Sequence, residues 1–197
     1  MLIHKVQRVP ATCALCRCDP LPWFKLARAP PPCYVRQMEF ARPSLETAGF
    51  VGWIPFTALR GSACPTTGGV YVITYSGSNP IHFEERSCGG WFKGKDPTVS
   101  RDALLANWVE GVEVVYIGKA DQLKRRLTQF ADFGAGKAVG HWGGRLIWQL
   151  PNGDALRVAW KETPGQVPVK VEAELIAAFR KLHGKPPFAN DPHRLGV

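Results

Sequence analysis

Gly69-Val70-Tyr71-Val72-Ile73-Thr74-Tyr75 is a run of β-branched and aromatic residues entered through Gly68-Gly69, and it reads as a strand. A second such run over 112–117, Val112-Glu113-Val114-Val115-Tyr116-Ile117, ends at Gly118. From Asp121 to Ala131 the period changes, with Leu123, Leu127 and Phe130 at helical spacing until Gly134 and Gly136 stop it. Downstream, 145–150 and 155–160 flank the turn Pro151-Asn152-Gly153-Asp154 and predict a β-hairpin. Pro168 opens a last helix with Leu175, Ile176, Phe179 and Leu182 on one stripe, ended by Gly184. This order predicts an α/β (α+β) fold: a small mixed or antiparallel sheet of three to four strands, flanked by helices. An insert, 76–111, separates the first two strands; it is polar and Gly-rich, with one helix predicted from Thr98 to Trp108.

Upstream, 43–66 reads as a lead-in: a short helix with Ser44 near its N-cap, then an apolar patch of Phe50, Val51, Trp53, Ile54 and Phe56 that should dock on the rest. Residues 1–42 hold four of the six cysteines and a Pro30-Pro31-Pro32 run, a composition that disfavours long helices and central strands. They are expected to form a poorly ordered basic extension. Because composition becomes domain-like after Met38, translation starting there is one hypothesis; the intact mass of the native protein tests it. Cys13, Cys16, Cys18 and Cys33 offer one CxxC step, and a zinc-dependent adaptor is the weaker alternative they raise.

The chain has 197 residues, 25 Lys+Arg against 16 Asp+Glu, a formal charge of +9 and 45% hydrophobic residues. Such a hydrophobic share argues against wholesale disorder. No apolar run approaches the roughly 20 residues that span a bilayer, and residues 1–13 lack the uninterrupted apolar stretch of a secretory signal. A cytoplasmic protein with an anionic partner, DNA foremost, is expected. The charge is uneven: 1–60 and 121–197 are basic, while 61–120 is nearly neutral.

Two polar residues interrupt apolar faces. Glu172 lies three and four positions before Leu175 and Ile176, inside the stripe of the last helix, while Glu174 faces the other way. A carboxylate there must meet a cation or donors. A structural ion pair and a functional group both satisfy that demand, and spacing does not choose between them. Arg126 flanks the buried stripe of the preceding helix, where it can snorkel beside the core or aim its planar fork at a phosphate.

Gly69-Val70-Tyr71 and Tyr116-Ile117-Gly118 resemble the two signature tripeptides of the GIY-YIG nucleases. In that family the second tripeptide leads into a helix with an arginine ten residues after its tyrosine, which here is Arg126. The family's metal-binding glutamate stands in the pattern E-x-x-L-I, matched by Glu172 through Ile176, and its closing asparagine by Asn190 after Pro187. The run from Tyr116 to Leu127, with Lys119, is most similar to the repair incision branch. Two features depart from the pattern: the long insert, and Phe130 where the family often has a histidine or tyrosine.

The resemblance implies a metal-dependent endonuclease hydrolysing phosphodiester bonds in DNA. A single Mg²⁺ or Mn²⁺ would be held by Glu172. Arg126 would bind the non-bridging phosphate oxygens, and Tyr71 would position and deprotonate water, with Lys119 lowering its pKa. Tyr116 would orient the nucleophile and Asn190 would brace the site. Since Phe130 cannot relay a proton, His141 is the candidate assisting base. Lys124, Arg125, Lys137 and Arg145 would contact the DNA backbone, or form a solvated basic face; Trp91, Trp108 and Trp142 could stack on unpaired bases, or pack within the core or loops. The runner-up is a module that keeps the fold and binds nucleic acid without cutting it.

Overall fold

The computed structural model describes residues 39–77 and 80–190, which lie in one compact unit, Gln37–Val197. Cys13, Cys16, Cys18, Cys33 and Met38 fall outside the described residues. Four strands, β1 (Val51–Ile54), β2 (Gly69–Tyr75), β3 (Val114–Ala120) and β4 (Leu156–Glu162), form one antiparallel sheet in the order β1-β4-β2-β3. The helices are α1 (Arg42–Thr47), α2 (Arg101–Asn107), α3 (Leu123–Gly134) and α4 (Pro168–His183). No helix among the described residues is long and apolar enough to cross a membrane.

The strand alternation of β2 sends its side chains to two cores. Tyr71, Ile73 and Tyr75 join Leu123, Leu127, Phe130 and Phe133 of α3 on one face. Val70 and Val72 meet Leu175, Ile176 and Phe179 of α4 on the other. Both faces are therefore covered, and all seven residues of β2 are buried. Helix α3 starts without a side-chain cap; instead the N–H groups of Leu123 and Lys124 donate to the carbonyls of Thr67 and Pro65 at 2.9 Å. Backbone from beyond the helix thus satisfies its first donors.

Several expectations are corrected. The predicted hairpin is absent: 145–149 form a 3-10 turn, and only the second arm becomes a strand, β4. Both edges of β4 are already occupied, by β1 and β2, so no edge remains for a third strand. The apolar patch at 51–54 is strand β1, pairing Val51 with Trp160 and Gly52 with Ala159 across a bulge at Trp53, whose φ is 54°. Helix α1 begins at Arg42 with Pro43 in its first turn and no capping side chain, so Ser44 is inside it. Strand β3 runs through Gly118 to Ala120, because Gly118 pairs with Tyr71 and the ladder continues. The insert helix is shorter than predicted, Arg101–Asn107, with Ser100 Oγ accepting from the Ala103 N–H at 3.4 Å.

The insert is packed. Phe83 stacks on Phe188 at 5.6 Å between ring centres, and Trp108 meets both rings edge-on. The buried Gln149 amide holds the insert by three bonds: its oxygen accepts from the Val99 N–H at 2.7 Å, and its nitrogen donates to the Glu84 and Val99 carbonyls at 3.1 and 3.0 Å. Gln149 belongs to the 3-10 segment whose sequence pattern predicts a hairpin arm. Its side chain is tied to the insert.

Candidate active site

Tyr71 on β2 and Tyr116 on β3 project from the same face of the sheet, their ring centres 6.0 Å apart. Gly118 makes this possible: a Cβ there would lie 2.5 Å from Tyr71 Cζ and 2.9 Å from Tyr116 Cε1. The glycine of the second tripeptide is thus a space requirement for the tyrosine of the first. Gly69 is equally constrained, since a Cβ would meet the Lys161 carbonyl oxygen at 2.3 Å.

Arg126, half-buried on α3, acts on Tyr71 both as a nearby cation and as a hydrogen-bond donor. Tyr116 donates its hydroxyl proton toward Tyr71, which lowers the Tyr71 pKa and raises its own. Burial outweighs these contacts. Tyr71 is 1% exposed, and its pKa is pushed up to about 12. Tyr116 is raised well above the usual phenol range, by burial first and then by Tyr71 and Glu172. Of the two phenols, Tyr71 is the one its neighbours favour as an anion.

Glu172, from the first half of α4, joins the same cluster. Burial raises its carboxyl pKa, opposed by the Lys119 ammonium, the Lys119 backbone N–H, which donates to the carboxylate, and Arg126. It is half-buried, whereas Glu174 is exposed. The helical spacing that separated the two glutamates therefore agrees with their placement. Lys119 departs from expectation. It faces Glu172, and the cation that acts on Tyr71 is Arg126.

Asn190 lies behind the cluster, on the outer edge of β3. Its Oδ1 accepts from the Ile117 N–H at 2.9 Å and its Nδ2 donates to the Ile117 carbonyl at 2.8 Å. The Ala189 N–H donates to the Val115 carbonyl at 2.8 Å, and Glu172 takes the Lys119 N–H. An open sheet edge is thereby closed by two side chains and one backbone N–H.

His141 is fully buried and stacks on Phe130, with ring centres 3.9 Å apart and planes 12° from parallel. Burial, helped by Arg126, pushes its pKa down to about 2. A neutral imidazole so reluctant to accept a proton does not serve as a general base in this arrangement, which corrects the role expected for it. Around it, Gly143 and Gly144 close over Tyr116; a Cβ at either would stand 3.2 Å from that side chain.

The basic residues divide. Lys124 is withdrawn from the expected DNA-facing set, because its Nζ donates to the carbonyls of Leu59 and Ser62 at 2.8 and 2.7 Å. Arg125 is exposed, Lys137 is exposed and pairs with Asp132 at 2.9 Å, and Arg145 lies 4.9 Å from the Trp142 ring centre. Sequence reasoning missed Gly143, Gly144 and Gln149; the glycines carried a signal, a GG pair beside His141 and Trp142, that only packing makes specific.

Glu172 is the acid of the cluster, and among the described residues no group of three or more His, Cys, Asp or Glu side chains is gathered to hold a metal. A half-exposed carboxylate suits a hard divalent ion that keeps most of its waters. Comparison with protein-family models, with curated proteins and with solved structures returned no match to this chain.

Proposed function

We propose that this protein is a metal-dependent endonuclease of the GIY-YIG kind that hydrolyses phosphodiester bonds in DNA. The observation that carries the reading is the convergence of Tyr71, Tyr116, Arg126 and Glu172, from four different elements, on one electrostatically linked cluster.

Arg126 binds the non-bridging oxygens of the scissile phosphate through its planar fork. Tyr71 takes the proton of the attacking water as its phenolate, the form that Arg126 and Tyr116 favour, once its own proton has been lost to solvent. Glu172 is the residue that would hold one Mg²⁺ or Mn²⁺, which when bound supplies positive charge to the phosphoryl and leaving oxygens. Lys119 orients the Glu172 carboxylate through its ammonium and its backbone N–H. Arg125, Lys137 and Arg145 make sequence-neutral backbone contacts, so binding weakens steeply with salt. The reading includes action in the cytoplasm, with Cys64 and Cys88 as free thiols.

A second reading, a DNA-binding module that does not cut, is favoured by one observation: burial holds Tyr71 at about 12, far from a working base. Incubation of supercoiled, branched and single-stranded DNA with Mg²⁺ or Mn²⁺ separates the two. Nicking that disappears in Glu172→Ala and Arg126→Ala while binding persists supports the nuclease. Undiminished cleavage by Glu172→Ala defeats it, and binding without any cleavage selects the second reading.

A further inference from the structure

The cluster is open at its charged members and shut over its phenols. Arg126 and Glu172 keep part of their surface exposed, whereas Tyr71 is 1% and Tyr116 8% exposed. A phenol that exchanges a proton with an attacking water has to meet that water. Over Tyr116 lies the stretch 138–144, Ala138-Val139-Gly140-His141-Trp142-Gly143-Gly144. A Cβ on Gly143 would stand 3.2 Å from the Tyr116 hydroxyl, and one on Gly144 would stand 3.2 Å from the Tyr116 ring and 2.8 Å from Phe130 Cζ. Both ends of the stretch are anchored. Before it, the Gly136 and Lys137 N–H groups donate to the Phe133 and Asp132 carbonyls at 3.0 Å; after it comes the 3-10 turn 145–149, with Ile147, Trp148 and Gln149 buried. Between the anchors the bonds are local. The Val139 N–H donates to the Lys137 carbonyl at 2.8 Å and the His141 N–H to the Val139 carbonyl at 2.9 Å, both three-residue turns. Among the described residues no backbone–backbone bond ties 138–144 to a strand or an α-helix, and Arg126 Nη1 reaches the Gly140 carbonyl only at 3.5 Å.

His141 plugs this stretch into the core. It is fully buried and stacked on Phe130, and neither of its ring nitrogens has a hydrogen-bond partner among the described residues. Both nitrogens meet water when the segment is out, and burying them unpaired costs free energy that packing has to offset. The closed arrangement is therefore held by packing and opposed by two unpaired polar atoms, on a segment with three glycines between fixed ends. That is how a movable cover is built. Water admitted beside Tyr116 also relieves the burial that is the largest cause of the raised pKa of both phenols.

We propose that 138–144 is a lid over Tyr116, latched by His141 on Phe130, which swings out to admit the scissile phosphate and its water to the two phenols. What the lid admits rests on the nuclease reading; its motion is read without cleavage. Carbethoxylation of His141 by diethyl pyrocarbonate is followed by peptide mass spectrometry on the full chain, with exposed His82 as the reference. His141 is expected to react more slowly than His82, at a rate unaffected by urea below the unfolding transition, because lid opening exposes little surface and global unfolding exposes much. Nicking of supercoiled plasmid and urea stability are then compared in wild type, His141→Phe and His141→Ala. His141→Phe keeps a ring on Phe130 without the unpaired nitrogens, so it should raise stability and slow nicking roughly tenfold. His141→Ala loses the latch and should be less stable while nicking at least as fast as wild type. A merely structural histidine would make activity follow stability; a lid makes them move in opposite directions. Labelling of His141 that rises with urea as global unfolding does, or activity that follows stability across the variants, would overturn the proposal. Local labelling of His141 in a chain that nicks nothing would remove the nuclease reading and leave the lid standing.

Discussion

Asn190 pairs with both backbone groups of Ile117, its amide taking the place of a neighbouring strand on the open side of β3. Ile117 stands between Tyr116 and Gly118, so the bond pair holds the pleat that aims Tyr116 across the sheet at Tyr71. Truncation in Asn190→Ala leaves a buried donor and a buried acceptor unsatisfied, at about 1–3 kcal/mol each. A destabilisation of roughly 2–4 kcal/mol in urea unfolding is expected. Stability within a few tenths of wild type would mean that water replaces the amide.

Gly118→Ala tests the space beneath the phenols. The added methyl would stand 2.5 Å from Tyr71 Cζ, and Tyr71 is packed on all sides, so the ring has to move or the strands must part. Overpacking of this kind costs about 1–3 kcal/mol. The variant is expected to fold with a lower thermal midpoint and to lose nicking activity, scored on supercoiled plasmid. Full activity would show that the Tyr71–Tyr116 geometry is not needed.

Neighbouring cations on α3 are expected to behave differently. Lys124 closes the turn around Leu59 and Ser62, so Lys124→Ala should cost about 1–2 kcal/mol of stability and leave DNA affinity unchanged. Arg125 is exposed, and Arg125→Ala should leave stability unchanged, weaken DNA binding and reduce the salt slope by about one. Salt titrations of binding beside urea melts read both effects; the reverse pattern would exchange their assignments.

His141 predicts an acid-sensitive fold. Its folded pKa of about 2 lies below the ordinary 6.5, so the unfolded chain binds the extra proton. Stability is therefore complete above pH 6.5 and falls as pH drops, by roughly 2 kcal/mol between pH 7 and 5. His183, also lowered by burial, acts in the same direction. Replacing the imidazole in His141→Phe should flatten part of the slope in urea midpoints taken across that range. An unchanged slope would place His141 in contact with water in the folded protein.

Much of this molecule is legible along the chain. The β-branched runs at 70–75 and 112–117, the helical stripes of α3 and α4, and the terminating Gly184 all rest on local periodicity and turn chemistry. The choice of Glu172 over Glu174 follows from a helix turning about 100° per residue. What only the tertiary structure decided involves partners distant in sequence. Residues 145–149 carry a strand-like pattern, but both edges of β4 are filled by β1 and β2, and the Gln149 amide is tied to Glu84 and Val99. Lys124 looks like Arg125 in a sequence, yet its ammonium lies against carbonyls some sixty residues upstream. Tyr71 and His141 owe their shifted pKa values to desolvation, which depends on everything packed around them. Periodicity is a property of a segment. Edge occupancy and burial are properties of the assembled chain.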